Sequence, residues 1–158
     1  MKIGIYAGTF DPVTNGHLSV LQKAAEVFDL VIIAIAADNN KKTLFTLEER
    51  QRLVEESIAQ MENVTVETFS GLLVNYAEQK GATALVRGLR AVSDFEYEMQ
   101  MALFNKDLAH GLETVFFIAD VEHSFISSSQ VKNIAALGGK IDKYVSPAVE
   151  KALAEKYQ

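Results

Sequence analysis

The sequence predicts an α/β fold built on a five-stranded parallel sheet, and three observations carry that expectation. Five short apolar runs alternate with longer stretches of helical period. Four of the runs are almost continuously apolar, as strands are when a sheet is covered on both faces. Capping residues and glycines punctuate the stretches between them where helices should start and stop. Such alternation with short loops implies right-handed crossovers and a Rossmann-like doubly wound sheet, with helices on both faces and a C-terminal helix.

In chain order, strands are expected at Lys2 to Ala7 (KIGIYA), Leu30 to Ala36 (LVIIAIA), Val64 to Phe69 (VTVETF), Ala82 to Val86 (ATALV) and Thr114 to Ala119 (TVFFIA). Thr46-Leu47-Glu48-Glu49 and Ser93-Asp94-Phe95-Glu96 fit the capping box, in which a hydroxyl and a carboxylate satisfy backbone donors at a helix start. Gly81, Gly111 and Gly138-Gly139 fall where helices should stop, and Ser146-Pro147 reads as the N-cap and first residue of the terminal helix. The helix Asp94 to Ala109 carries Phe95, Tyr97, Met99, Met101, Leu103, Phe104 and Leu108 over more than one narrow stripe. It is either a core helix or a subunit interface, and the Met and aromatic content favours the interface.

The composition bounds the function. A chain of 158 residues with 49% hydrophobic and 23% charged residues is long enough for one domain, expected over residues 1–158. No run approaches the apolar length of a membrane span and the N-terminus lacks a signal core, so a soluble cytoplasmic protein is expected. The absence of cysteine excludes disulfides, thiolate metal sites and thiol nucleophiles. A net charge of −6 speaks against nonspecific nucleic-acid binding but leaves room for a small anionic ligand held by a few converging cations.

In an open α/β sheet, ligands bind outside the carboxyl ends of the strands, so the loops after the strands are where chemistry is expected. Neither G-x-x-x-x-G-K-[ST] nor G-x-G-x-x-G occurs, so a phosphate would have to use another loop. The loop Gly8 to His17 ends at a helix start, where the dipole disfavours imidazolium and makes His17 a neutral donor. Gly8 and Gly16 there read equally as turn residues. Arg87 and Arg90, straight after the fourth strand, are spaced to reach the cleft and to grip phosphoryl oxygens. Lys41-Lys42 is either a surface turn or part of the same rim. Ser127-Ser128-Ser129 reads as a helix N-terminus with hydroxyls and free N–H groups facing an anion. His110 and His123 are isolated, and no metal site is expected.

GTFDPVTNGH, RGLR and SFISSSQVK, together with KK…FTLEER and GLRAVSDFEYEMQ, closely resemble the bacterial phosphopantetheine adenylyltransferases, in motif order and spacing from end to end. These form a branch of the nucleotidyltransferase superfamily whose wider signature is H-x-G-H. Here the first His is replaced by Thr14, the pattern of this branch. The resemblance implies reversible transfer of AMP from ATP to 4′-phosphopantetheine, giving dephospho-coenzyme A and pyrophosphate in the penultimate step of coenzyme A synthesis. The alternatives are another phosphorylated acceptor or a non-catalytic ATP-binding module. The resemblance further implies His17, Thr9, Lys41 and Arg90 as catalytic residues. ATP would be bound by Gly8, Thr9, Phe10, His17, Gly88, Leu89, Arg90 and Glu98 and by His123, Ser124, Phe125, Ile126, Ser127, Ser128 and Ser129. Phosphopantetheine would be bound by Thr9, Lys41, Leu73 and Arg87. Mg2+ is expected with ATP, coenzyme A as inhibitor, and a homohexamer as the assembly. The attacking phosphate is already ionised, so positioning and charge stabilisation suffice without a general base.

Overall fold

The computed structural model describes residues 1–37, 42–90 and 92–158. The elements run β1 (Ile3–Gly8), α1 (Asn15–Val27), β2 (Leu30–Ala36), α2 (Leu47–Ser57), β3 (Val64–Phe69), α3 (Leu73–Gln79), β4 (Ala84–Leu89), α4 (Val92–Leu108), β5 (Glu113–Ile118), a 3₁₀ turn (Val121–His123), α5 (Ser128–Ala136) and α6 (Pro147–Lys156). All ladders are parallel and the strand order is β3-β2-β1-β4-β5. Strand order therefore reverses between β1 and β4, and the loops that follow these two strands part there to leave a crevice.

The period of two along each strand sorts side chains onto two faces. Tyr6, Ile33, Ala84 and Val86 join Leu21, Leu53, Val131 and Leu153 in a large core under α1, α2, α5 and α6. Ile5, Ala7, Ile32, Ala34 and Leu85 face the other way and pack with Val74, Tyr76 and Ala77 of α3, and with Ala109 and Leu112 just past α4. The sheet is covered on both sides, as the apolar runs require.

The helix punctuation matches the expectation in three places. Thr46 and Glu49 form a capping box, Ser146 caps α6 ahead of Pro147, and Gly81 and Gly138 take left-handed φ values of 64° and 78° just past α3 and α5. Several element ends shift by one or two residues, and two shifts bear on the site. β4 extends to Leu89 instead of stopping at Val86, because its pairing with β1 ends at Val86 while β5 carries the ladder on through Arg87, Gly88 and Leu89. Arg87 and Gly88 thus sit in a strand, not a loop. α4 opens at Val92, ahead of the expected Ser93 cap, and the side chain of Ser93 lies outside the described residues. No helix among the described residues is long and apolar enough to cross a membrane.

Gly88 has a packing reason. A Cβ there would stand 2.6 Å from Val20 Cγ2, so only glycine lets β4 lie this close to α1. Gly88→Ala is expected to cost about 1–3 kcal/mol by overpacking. Adding Val20→Ala should return part of that loss, as urea denaturation of the two variants will show.

Candidate active site

The site begins with the cap of α1. Thr14 is its N-cap, and its hydroxyl accepts the His17 backbone N–H at 3.4 Å. In return the Thr14 backbone N–H donates to His17 Nδ1 at 3.0 Å. An imidazole takes the place that Glu or Gln holds in an ordinary capping box. Because Nδ1 is an acceptor, the ring proton of the neutral form resides on Nε2. Burial, then the charges of Arg90 and Arg87, push the His17 pKa down to about 4. His17 is therefore a fixed, uncharged donor.

An aromatic stack carries that ring. Phe10 meets His17 edge-on with centroids 4.9 Å apart and meets Tyr6 at 5.4 Å. Phe10 has φ 50°, so the left-handed residue of this loop is a phenylalanine and not one of its glycines. Gly8 serves close approach instead, since a Cβ there would lie 3.1 Å from the Phe10 ring. Burial raises the Tyr6 hydroxyl to about 12, so it stays protonated.

Cations arrive from other elements, each held by a carboxylate. Arg87 grips Glu98 of α4 in a two-pronged pair at 2.6 and 2.8 Å and donates to the Ala7 carbonyl. Arg90 bonds Asp94 and the Ile126 carbonyl, tying the loop after β4 to the start of α5. Lys132 reaches back from α5 to Asp11 at 2.8 Å. Asp11 also accepts the Leu44 and Phe45 N–H groups. Burial alone would raise its pKa, but Lys132 and these two N–H groups outweigh burial and lower it. Lys42, among the described residues, has no carboxylate partner. Arg87 and Arg90 both reach the cavity wall, as expected from the sequence, and each carries a carboxylate partner there, Glu98 and Asp94.

These groups line one cavity of about 540 Å³ at the carboxyl edge of the sheet. Of the residues expected there, Gly8, Thr9, Phe10, His17, Arg87, Gly88, Arg90, Glu98, Ile126, Ser127, Ser128 and Ser129 are in its wall. Leu73 opens α3 and packs against the smaller core, and Leu89 ends β4; neither is in the wall. Nor are His123, Ser124 and Phe125, of which Phe125 is exposed and lies edge-on to Tyr144. Lys41 lies outside the described residues. The three serines are not equivalent. Ser127 caps Gln130 N–H and Ser128 donates to the Pro12 carbonyl, leaving Ser129 and the open N–H groups of the first turn of α5. His123 Nδ1 is enclosed without a partner among the described residues. Its ring stands near Asp120 and Glu122, but Asp120 is taken by Lys23 and Ser19. Asp11, Lys132 and Thr14 were not expected in the wall.

The cavity can hold an anion while offering, among the described residues, no unpaired carboxylate to act as a base. Every carboxylate in its wall is paired with a cation, and its imidazole is locked as a donor.

Comparison with known proteins gives a consistent picture. The cytidylyltransferase-like family model matches residues 5–134. A phosphopantetheine adenylyltransferase of Moorella thermoacetica is 54% identical over 157 residues, covering 99% of this chain and 98% of the relative. Its namesake in Syntrophomonas wolfei is 50% identical over 156 residues, with 99% and 97% covered. Among solved structures, the Plasmodium falciparum nicotinic acid mononucleotide adenylyltransferase, complexed with NaAD, superposes with a TM-score of 0.72 at 17% identity, covering 98% of this chain and 95% of that one. At that identity the likeness concerns the fold alone.

The Thr14–His17 box has a spectroscopic consequence. His17 should show the Nε2–H tautomer by NMR at neutral pH and take up a proton only near pH 4. An unfolded chain binds that proton near the ordinary 6.5, so stability falls as pH drops from 6.5 towards 4 and is constant with respect to this group above 6.5. A ring titrating close to 6.5 in the folded protein would remove the fixed-donor assignment.

Proposed function

The chain belongs to the phosphopantetheine adenylyltransferase family of the cytidylyltransferase-like proteins, and from that premise we propose how its cavity carries the reaction. The enzyme transfers AMP from ATP to 4′-phosphopantetheine, reversibly, giving dephospho-coenzyme A and pyrophosphate in the penultimate step of coenzyme A synthesis. A phosphate oxygen of the acceptor forms a bond to the α-phosphorus, and the bond from that phosphorus to the oxygen of the leaving pyrophosphate breaks. The observation that carries this reading is a neutral imidazole donor set among cations, with no unpaired carboxylate in the wall among the described residues. Such a site suits an attacking group that is ionised before it arrives.

His17 Nε2–H and Thr9 meet the charge that develops on the α-phosphate. Gly8, Thr9 and Phe10 bring backbone close to the nucleotide. Arg87, oriented by Glu98, works with Thr9, Lys41 and the Leu73 segment to hold phosphopantetheine with its phosphate in line. Gly88, Leu89 and Arg90, with the segment His123 to Ser129, hold ATP, where Ser129 and the first N–H groups of α5 face the outer phosphates. Magnesium enters as part of the ATP substrate. The paired state of Asp11, Asp94 and Glu98 suits an ion carried by phosphates and water rather than by a protein cage. Coenzyme A, which contains the phosphopantetheine arm, would inhibit by occupying the same cavity.

Assembly is supported by α4. Its Tyr97, Leu103, Phe104 and Leu108 are more than half exposed, so the helix read as broadly apolar has an uncovered face in the single chain. A homohexamer buries it, and the cytoplasm is where such an enzyme meets ATP.

Pyrophosphate should be released from ATP only when 4′-phosphopantetheine is present. Release with nicotinamide mononucleotide or glycerol phosphate instead would change the acceptor, and binding of ATP without release in any mixture would make the chain a binding module. His17→Ala should lose on the order of 2.7–4 kcal/mol of transition-state stabilisation, read in kcat more than in KM. Sedimentation at micromolar concentration should show a hexamer, and a monomer would remove the interface role of α4.

A further inference from the structure

Behind the cavity wall lies a cation with no place in the roles above. Arg50, in the middle of α2, is 3% exposed. Its Nη1 donates to the Thr9 carbonyl at 2.8 Å and to the Ala36 carbonyl at 3.2 Å. Its Nε is enclosed with no partner among the described residues. No carboxylate among those residues lies within ion-pair distance of it, in contrast to Arg87, Arg90 and Lys132. Arg50 is therefore a buried cation hydrogen-bonded to two backbone carbonyls and, among the described residues, to no carboxylate.

Its contacts are placed where the site is set. The Thr9 carbonyl belongs to the peptide that leads into Phe10, the left-handed residue whose ring supports His17. Ala36 ends β2, next to the strand that delivers Thr9. One guanidinium thus joins the exits of two adjacent strands and fixes the turn that presents Thr9 and Phe10 to the cavity. A neutral amide would cap such carbonyls without the cost of burying a charge, which is several kcal/mol per ion. Here the charge lies directly behind the loop that faces the phosphates, and among the described residues no carboxylate forms an ion pair with it. Burial and nearby Asp11 and Glu48 act on its acidity, but guanidinium stays protonated at any working pH.

We infer that Arg50 is a positioning residue for adenylyl transfer: it holds Thr9 and Phe10 through the Thr9 carbonyl and sets a buried positive charge behind the loop that faces the α-phosphate. This rests on the adenylyl-transfer reading. The unsubstituted enzyme is therefore the reference, and a lack of turnover there would remove that reading rather than this one.

Two variants separate the possibilities. Arg50→Gln keeps a neutral donor for the carbonyls but removes the charge, and Arg50→Lys keeps the charge with one compact donor. Urea denaturation and sedimentation establish that each is folded and assembled. In folded Arg50→Gln, kcat should fall on the order of 10–100-fold, the scale of a small misplacement or lost charge at a reacting centre. KM for both substrates should change far less, and Arg50→Lys should recover part of the lost kcat. A purely structural residue would lower stability and leave kcat per folded site unchanged. A folded Arg50→Gln enzyme with native kcat would overturn the proposal, as would Arg50→Lys no faster than Arg50→Gln. If neither variant folds, Arg50 serves the fold alone and the proposal falls.

Discussion

A parallel sheet ends with carbonyl groups that have no strand partner, and in this chain cationic side chains meet many of them. Arg87 takes the Ala7 carbonyl, Arg50 takes those of Thr9 and Ala36, and Lys23 takes that of Ile118. Each bond closes a polar account that the fold must settle, since buried carbonyls are costly when unmet. The same bonds place positive charge along the edge where the loops diverge. Anion binding is in this sense a by-product of how the sheet is finished. The net charge of −6 is no obstacle, because the described carboxylates of the cavity wall, Asp11, Asp94 and Glu98, are each paired with a cation.

Of the cations in the cavity wall, Arg87, Arg90 and Lys132 are each held by a carboxylate. Arg87 is aimed by Glu98 and Lys132 by Asp11, and Asp11 in addition gathers the Leu44 and Phe45 N–H groups. One carboxylate thereby joins the loop after β1, the segment before α2, and α5. The pairing also removes free bases from the wall. A hydrolytic side reaction needs a group to activate water, and this cavity has none among its described residues. Preorganisation and protection of the nucleotide follow from the same ion pairs.

The fold was legible in the sequence because burial on two faces forces long apolar runs, and LVIIAIA has no other plausible use. The end of β4 was not legible. RGL reads as a polar exit, and only the neighbouring strand, which carries the ladder to Leu89, makes it β structure. His17 and the serine run were legible as a helix start at the ligand edge. What the serines do was not, because whether a hydroxyl faces a ligand or a carbonyl depends on a contact as remote as Ser128 to Pro12. Arg50 closes the FTLEER motif, but no sequence signal assigned it a role. Within LEERQR it reads as one charge on a solvated helix face, and only the turn of α2 against the sheet buries it. Asp11 was hidden likewise by its place in a turn before Pro12.

Thr14 and His17 each complete the other, since the threonine hydroxyl starts the helix and the threonine amide sets which imidazole nitrogen carries hydrogen. A change at either position therefore acts on the helix start and on the ring together. A second imidazole at 14 would have to begin the helix as well as serve chemistry, and a polar substitute at 17 would have to accept from the same amide. The two residues thus work as one joint, and the loops on either side of it hang from a single fixed point.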